Sequence, residues 1–477
     1  MDSTLACLAA WMPRQRWYAA KGRPPSLRLV GWWDPPSPED LAVDGDGADP
    51  GDGAQTSVGA ARVRTFLVAD EGALPAVLYQ IPVVSRATAT VDAPPDHIIG
   101  DPEPGTTFID GPFDPAYSAA LLRMVTAGGQ GRGPRSVATG HPTRGVHGAG
   151  KRTATVLAGE QSNTSLIFRG DDGSTPIICK VFRQLHPGLN PDIELQSALA
   201  DAGSPYVPRA IGSLEGAWPD LATARGTVTG SLAFAQEFLP DVEDAWRVAL
   251  RAAARGEDFS ASARALGEAT AAVHVSLAGL FPTRPTQADD RDATAATWRR
   301  RLTIAIAEVP AIAELREAIE AVYTRALDVG WPPMQRIHGD YHLGQVLHVP
   351  GRGWVLLDFE GEPLRPMGER LSADVPLRDV AGMLRSFDYV AGSIRLDHPD
   401  RSAEGVREWA LAARRSFVEG YAGASGSPLD AANPLLAALE LDKAVYEAIY
   451  ESRSRPTWVT IPLRAIVRLV QRPAAVT

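Results

Sequence analysis

Apolar positions recur along this chain with two different periods, and the change from one to the other divides it. The run AVLYQIPVV at 76–84 clusters β-formers and reads as a strand, whereas PAYSAALLRMV from Pro115 has helical spacing behind an Asp-Pro start. From Thr153 the stretch TATVLAGEQSNTSLIFRGDDGSTPIICKVF holds two β-rich runs joined through Gly170-Asp171-Asp172-Gly173, the pattern of a hairpin. Asn190-Pro191-Asp192 then opens a helix through IELQSALADAG, with Asp192 and Glu194 in its first turn and Gly203 near its end. SLAFAQEFLP at 231–240 reads as a buried strand that runs into a Pro-limited connection. From Ser260 onward Ala/Leu-rich helical patterns dominate, interrupted by short strand-like pieces around Ile337 and at Trp354-Val355-Leu356-Leu357. No repeat of fixed period occurs.

Composition narrows the class. The chain has 477 residues, 45% hydrophobic and 22% charged, enough for a sizeable core in two or three domains. A formal net charge of -10 argues against a general nucleic-acid binder. Cys7 and Cys179 are the only cysteines and have no metal-ligand spacing, which fits a reducing cytoplasm. The basic residues near the N-terminus follow its short apolar stretch instead of preceding it, the wrong order for a secretory signal, and no apolar run approaches the length of a membrane span. A cytoplasmic protein, monomeric and bound to neither membrane nor nucleic acid, is expected.

Two segments rich in Gly, Pro and small polar residues read as flexible insertions: an acidic one at 38–53 and a basic one at 128–151. Within the second, Gly129-Gln130-Gly131-Arg132-Gly133 lacks the following helix that a phosphate-binding loop requires, so a linker is expected there. Trp11, Trp17, Trp32 and Trp33 are assigned to the core of an N-terminal cap.

The strongest chemical signal is QRIHGDYHLGQVLHVPGRGWVLLDFEGEP, at 335–363. Asp340 stands in a Gly-bearing turn, Gln345 follows five residues later, and an apolar strand delivers Asp358 at its end. Phosphoryl transfer needs such a set: a carboxylate to accept or orient the acceptor hydroxyl, and an amide oxygen and a second carboxylate for a hard cation. His338 and His342 at i, i+4 straddle a Gly turn and lack the further ligands of a zinc site. Upstream, Lys180 sits in the strand IICKVF and Glu194 in the next helix, where the two could meet. In the last helical block Asp442, Lys443, Tyr446, Glu447, Tyr450 and Glu451 recur at i, i+3 and i+4, with Arg455 and Trp458 following. That mixture of carboxylates and aromatic faces suits a sugar.

The blocks HGDYHLGQVL, LLDFEGEP and PLRDVAGMLRSFDY (376–389) closely resemble the actinobacterial maltokinases, relatives of aminoglycoside and choline kinases in the protein-kinase-like superfamily. So do PRQRWYAAKGR (13–23), GEQSNTS (159–165), KVFRQLHPGLNPDIEL (180–195) and ELDKAVYEAIYESRSRPTWVTIPLRAI (440–466). The resemblance covers nearly the whole chain. It implies an α+β, two-lobed protein-kinase-like fold with a cap at 1–125, a β-rich nucleotide lobe at 126–240 and a helical catalytic and sugar-binding lobe at 241–477. It also implies ATP as co-substrate and Mg2+ as cofactor, with Asp340 as catalytic base, Gln345 and Asp358 as magnesium ligands, and Lys180, paired to Glu194, on the ATP phosphates. Gln161, Ser162, Asn163 and Thr164 would form the phosphate-side hairpin, and Gln236, Glu237, Phe238 and Leu239 the adenine hinge. The acceptor would meet Asp340, His342, Glu447, Tyr450 and Trp458.

The reaction so implied converts maltose to maltose 1-phosphate for α-glucan synthesis. Glucosamine phosphorylated at its 6-hydroxyl is the alternative, since glucosamine kinases share these motifs. A pseudokinase or binding module is disfavoured by the intact set Lys180, Glu194, Asp340, Gln345 and Asp358.

Overall fold

The structure, a computed structural model, describes residues 2–37, 61–145, 150–159, 162–223, 225–362, 365, 367–398, 402–430 and 432–471. The chain forms two compact units, Met1–Ile193 with Arg209–Pro240, and Glu194–Pro208 with Asp241–Thr477.

In the first unit, helix α1 (Asp2–Trp11) leads to β1 (Leu27–Trp33), β2 (Arg62–Asp70), β3 (Val77–Ala87), β4 (Ile98–Glu103) and β5 (Thr106–Asp110). Helix α2 (Pro115–Ala127) precedes β6 (Gln130–Gly133), β7 (Ser136–Pro142), β8 (Arg152–Val156), β9 (Asn163–Gly170), β10 (Ile177–Phe182) and the two-residue β11 (Gln184–Leu185). Helix α3 (Pro191–Asp201) has only Pro191–Ile193 in this unit and its remaining residues in the second; β12 (Ala210–Pro219) and β13 (Thr227–Glu237) complete the first. One antiparallel sheet runs β1-β2-β3-β5-β4, with β11 added against β3, and a seven-stranded sheet runs β6-β7-β12-β13-β10-β9-β8. Trp11, Trp17, Tyr18, Phe66 and Tyr79 pack in a core on the first sheet. Trp33 is buried as well, and Trp32 packs half-buried against that core. The expected helix at Pro115 is α2: Asp114 caps it through Ala116 N at 2.8 Å, and Gly128 ends it at a φ of +86°.

The sheets are tied by buried polar side chains. The Arg183 guanidinium, fully buried, donates to both Asp110 oxygens at 2.9 Å and to Thr164 Oγ1 at 2.8 Å. Gln80 donates to the carbonyls of Phe182 and Leu232, each at 2.9 Å.

The basic segment at 128–151 differs from expectation, for its described part builds β6 and β7 of the seven-stranded sheet. Its glycines serve close approach. A Cβ on Gly133 would lie 1.8 Å from the Trp32 carbonyl oxygen, and one on Gly140 would lie 2.1 Å from that of Met124. The acidic segment falls at 38–53, outside the described residues.

The second unit holds β14 (Glu243–Asp244), α4 (Ala245–Arg255), α5 (Ser260–Leu280), α6 (Ala288–Glu308), α7 (Arg316–Leu327), β15 (Val346–Val349) and β16 (Gly353–Leu356). The short α8 (Met367–Arg370) follows, then α9 (Leu377–Asp397), α10 (Ala403–Ser425), α11 (Pro434–Ser454) and α12 (Thr460–Val470). The strands form a small sheet ordered β14-β15-β16, and the helices bury one continuous apolar core. Around Ile337 only isolated bridges occur, Arg284 to Met334 and Gln335 to Asp374, instead of the expected strand piece. No helix among the described residues is long and apolar enough to cross a membrane.

Candidate active site

Strand β10 lies between β9 and β13, so Lys180 stands opposite Ser165 on one side and Phe234 on the other. A carboxylate on its ammonium is Asp192, at 3.2 Å and almost fully buried. This corrects the expected partner Glu194, which instead pairs with Arg336. Helical geometry explains the change, because side chains two residues apart project about 200° apart. Asp192 itself is oriented by Asn190, whose side-chain oxygen accepts from its backbone N–H at 2.8 Å.

Asn163 and Thr164 open β9, with Ser162 just before them; Gln161 lies outside the described residues. The Thr164 hydroxyl accepts from Arg183, so it belongs to the buried network as much as to the hairpin tip. Gln236 and Glu237 end β13 opposite Ile178 and Ile177. The Phe238 N–H bonds the Pro176 carbonyl at 2.9 Å and its ring carries the Arg169 guanidinium at 5.4 Å; Leu239 follows, half-buried.

In the second unit the turn bearing Asp340 is clamped onto α9. Asp379 accepts from His338 N at 2.8 Å and Gly339 N at 2.9 Å, and it meets His274 Nε2 at 3.0 Å. Burial pushes the Asp379 carboxyl up, but His274 and these donors outweigh it and hold it below the usual range. Gly339 adopts a φ of +85°, and Gly382 lets the turn lie on the helix, since a Cβ there would stand 2.5 Å from the Tyr341 carbonyl oxygen. His338 Nε2 bonds the Leu357 carbonyl at 2.8 Å, and His342 Nδ1 accepts from Gly344 N at 3.0 Å, so both histidines order the turn. Burial lowers the His342 pKa against the pull of Asp340.

The hairpin of β15 and β16 closes Gln345 onto Asp358, with Nε2 to Oδ2 at 3.0 Å. Asp358 holds a φ of +64°, a left-handed conformation uncommon outside glycine. A carboxylate beside an amide, both offering hard oxygen once the amide turns, fits Mg2+. When bound, the ion would neutralise phosphate charge; Gln345 and Asp358 are the residues that would hold it.

Asp340 faces a cleft of about 550 Å3 lined by Trp246, His342, Tyr389, Lys443, Tyr446, Glu447, Tyr450, Glu451, Arg455 and Trp458. The expected acceptor residues therefore converge on one cavity. Asp442 does not, being buried against Arg301. Each carboxylate here already has a cation. Lys443 Nζ bridges Glu362 at 2.6 Å and Asp340 at 3.3 Å. Glu447 takes two bonds from Arg385, at 2.7 and 2.9 Å, and Glu451 takes two from Arg455, at 2.6 and 2.9 Å. The Arg455 guanidinium stacks on Trp458 at 4.3 Å, which fixes the indole.

Sequence reasoning assigned no role to Asp379, Arg385 or Asp192's carboxylate, and did not foresee that Lys443 would hold Asp340. The Asp379 and Arg385 signals were present in PLRDVAGMLRSFDY, where Asp379 opens α9 and Arg385 lies inside it.

The sequence matches the Phosphotransferase enzyme family over residues 153–435 and the Maltokinase N-terminal cap domain over 11–44. It is 32% identical over 319 residues to the glucosamine kinase of Streptacidiphilus jiangxiensis, spanning 64% of this chain and 70% of that one. A glucosamine kinase of Mycolicibacterium smegmatis is 32% identical over 251 residues, 49% of this chain and 61% of that one. Among solved structures, a glucosamine kinase in complex with glucosamine, ADP and inorganic phosphate matches with a TM-score of 0.64 at 25% identity, covering 91% of this chain and 99% of that one. A second glucosamine kinase structure, at 23% identity and a TM-score of 0.68 over 98% of this chain and 99% of that one, is alike in fold.

Proposed function

Since the chain belongs to the Phosphotransferase enzyme family and has its kinase-like α+β fold with an N-terminal cap, we propose that it transfers the γ-phosphoryl group of ATP to a neutral sugar, with maltose as acceptor and maltose 1-phosphate as product. One observation carries the choice of a neutral acceptor. Each carboxylate lining the cleft already has a cation beside it, Lys443 at Asp340, Arg385 at Glu447 and Arg455 at Glu451, so an ammonium entering it would compete with a resident cation for each. Five aromatic side chains, Trp246, Tyr389, Tyr446, Tyr450 and Trp458, offer faces for the C–H surfaces of two glucose rings.

In this reading Asp340 accepts the proton of the attacking hydroxyl, and Lys443, which holds that carboxylate in place, limits its rotation. Glu447, Tyr450, Trp458 and His342 position the sugar. Lys180, oriented by Asp192, meets ATP phosphates, Ser162 to Thr164 supply donors to them, and Gln236 to Leu239 face adenine; Gln345 and Asp358 hold the magnesium ion. The proposed layout is a cap at 1–125, a nucleotide lobe at 126–240 and a catalytic lobe at 241–477, in a cytoplasmic monomer that supplies α-glucan synthesis.

Glucosamine is the second reading, favoured by two relatives that are glucosamine kinases. A coupled ADP-release assay with ATP and magnesium, run with maltose, glucosamine, glucose and no sugar, separates them, with the product located by phosphorus NMR. Maltose turnover and a 1-phosphate signal are expected. Preference for glucosamine with a 6-phosphate would replace the acceptor, and no sugar-dependent release would refute the sugar kinase reading.

A further inference from the structure

A second cavity of about 430 Å3 opens where α9, α10 and α12 meet, lined by residues distinct from those of the acceptor cleft. Its floor is apolar, with Ala391, Ile461, Ala465 and Val467 among its residues. Helices α9 and α12 come close there because position 392 is glycine; a Cβ would lie 2.6 Å from Ile461. Four arginines also line it: Arg395, Arg407, Arg464 and Arg468.

Their charges are unequally matched. Arg407 pairs with Glu404. Arg468 pairs with Asp388 at 2.5 Å, within a buried cluster in which Arg385 and Arg414 also reach Asp388, at 2.6 and 3.3 Å. Glu440 completes that cluster against Arg414 and Glu447 against Arg385, so three guanidiniums face three carboxylates. Arg395 on α9 and Arg464 on α12 have no carboxylate within ion-pair reach among the described residues, yet both line the same concavity. Burial and the charge of Arg395 lower the Arg464 pKa, which means the two cations repel one another.

We propose that this cavity is a second ligand site, for a phosphate-bearing small molecule whose phosphate is held by Arg395 and Arg464 and whose carbon skeleton lies on the apolar floor. Two unmatched guanidiniums balance a phosphomonoester, which carries close to two negative charges at neutral pH, whereas one carboxylate would leave a cation uncompensated. The site is linked to the acceptor cleft through a chain of four buried or half-buried side chains. Arg468 lines the cavity and holds Asp388, Asp388 holds Arg385, and Arg385 holds Glu447, which lines the cleft. An anion that draws Arg468 toward itself loosens its hold on Asp388, and Arg385 then shifts its balance between Asp388 and Glu447. This coupling, unlike the site itself, rests on the cleft being the acceptor site.

The test is calorimetric titration of the full chain with phenyl phosphate, which joins the required dianion to an apolar body, and with inorganic phosphate. Wild type and Asp340→Asn should bind phenyl phosphate alike, while Arg395→Ala/Arg464→Ala should lose about tenfold or more in affinity. Arg395 is half-buried and Arg464 exposed, so an unchanged Tm is expected for the double variant. Equal affinity in wild type and double variant, or no binding by wild type at millimolar concentration, would overturn the site. In the second arm, phenyl phosphate should change the acceptor KM of wild type but not of the double variant. Binding without any change in KM would overturn the coupling alone, and the titration needs no turnover, so it stands apart from the identity of the acceptor.

Discussion

Replacing Glu362 by Gln isolates the electrostatics beside Asp340. Glu362 is buried, which pushes its carboxyl up, but the charges of Lys443, Arg365 and Arg301 and the Lys443 hydrogen bond outweigh burial and hold it down to about 2 from an ordinary 4.5. A depressed folded pKa means stability that is fully present above 4.5 and is lost as pH falls through about 2. At about 1.4 kcal/mol per decade, that gap is worth about 3 kcal/mol at neutral pH, and more than half of it remains at pH 3.5. Wild type should therefore lose on the order of 1 kcal/mol between pH 7 and 3.5 that Glu362→Gln does not lose. Urea unfolding of both proteins at pH 7, 5 and 3.5 reads the difference, because the other carboxylates titrate in both. The variant should also be less stable at pH 7, since it leaves Lys443 with Asp340 as its one remaining carboxylate. Parallel stability curves would show that Lys443 and its neighbours do not hold Glu362 ionised, and would remove the electrostatic account of the cleft.

Asp340→Asn should cut kcat by about 100-fold to 10,000-fold while nucleotide affinity, read by calorimetry, stays unchanged; turnover within about tenfold of wild type would take the base role from Asp340. Asp192→Asn should raise the KM for ATP about tenfold, whereas Glu194→Gln should leave that KM alone and lower the Tm through its lost bond to Arg336. The reverse result would restore Glu194 as the partner of Lys180. Trp458→Ala should cost about 1–2 kcal/mol of acceptor binding, a rise of roughly tenfold in sugar KM with ATP KM constant, and an unchanged sugar KM would place the acceptor elsewhere.

Local patterns carried most of the fold. The helical spacing behind an Asp-Pro start gave α2, the paired β-rich runs gave β9 and β10, and the Ala/Leu periodicity gave the helices after Ser260. The segment at 128–151 misled because glycine has two uses. Composition counts it as freedom, but at Gly131, Gly133 and Gly140 it is the absence of a side chain that lets backbone and the rings of neighbouring strands close in. Nothing local separates the two, since the close neighbours, Trp32, Trp33 and Met124, come from other elements.

The site divides along the same line. Asp340, Gln345 and Asp358 lie within 19 consecutive residues, in a turn and at the two ends of the hairpin that follows it, so their placement is encoded by spacing and turn chemistry. The charges that set their environment are separated by long stretches of chain: Lys443 reaches Asp340 across 103 positions and Glu362 across 81, and Arg385 reaches Glu447 across 62. Sequence showed that α11 carried a polar and aromatic face but not which of its charges were spent on partners. In the proposed reading that distinction decides between a neutral and an amino sugar. A face of free carboxylates would recruit an amino sugar, whereas the same carboxylates held by Lys443, Arg385 and Arg455 become fixed, neutralised hydrogen-bond acceptors. In that reading such acceptors would orient hydroxyls without attracting charge, and would leave recognition to geometry and to the aromatic faces of Tyr450 and Trp458. Freeing one of them, by Arg455→Gln beside Glu451, should therefore shift preference toward glucosamine, and the ratio of kcat/KM for the two sugars measures it; an unmoved ratio would separate acceptor choice from the pairing of these carboxylates.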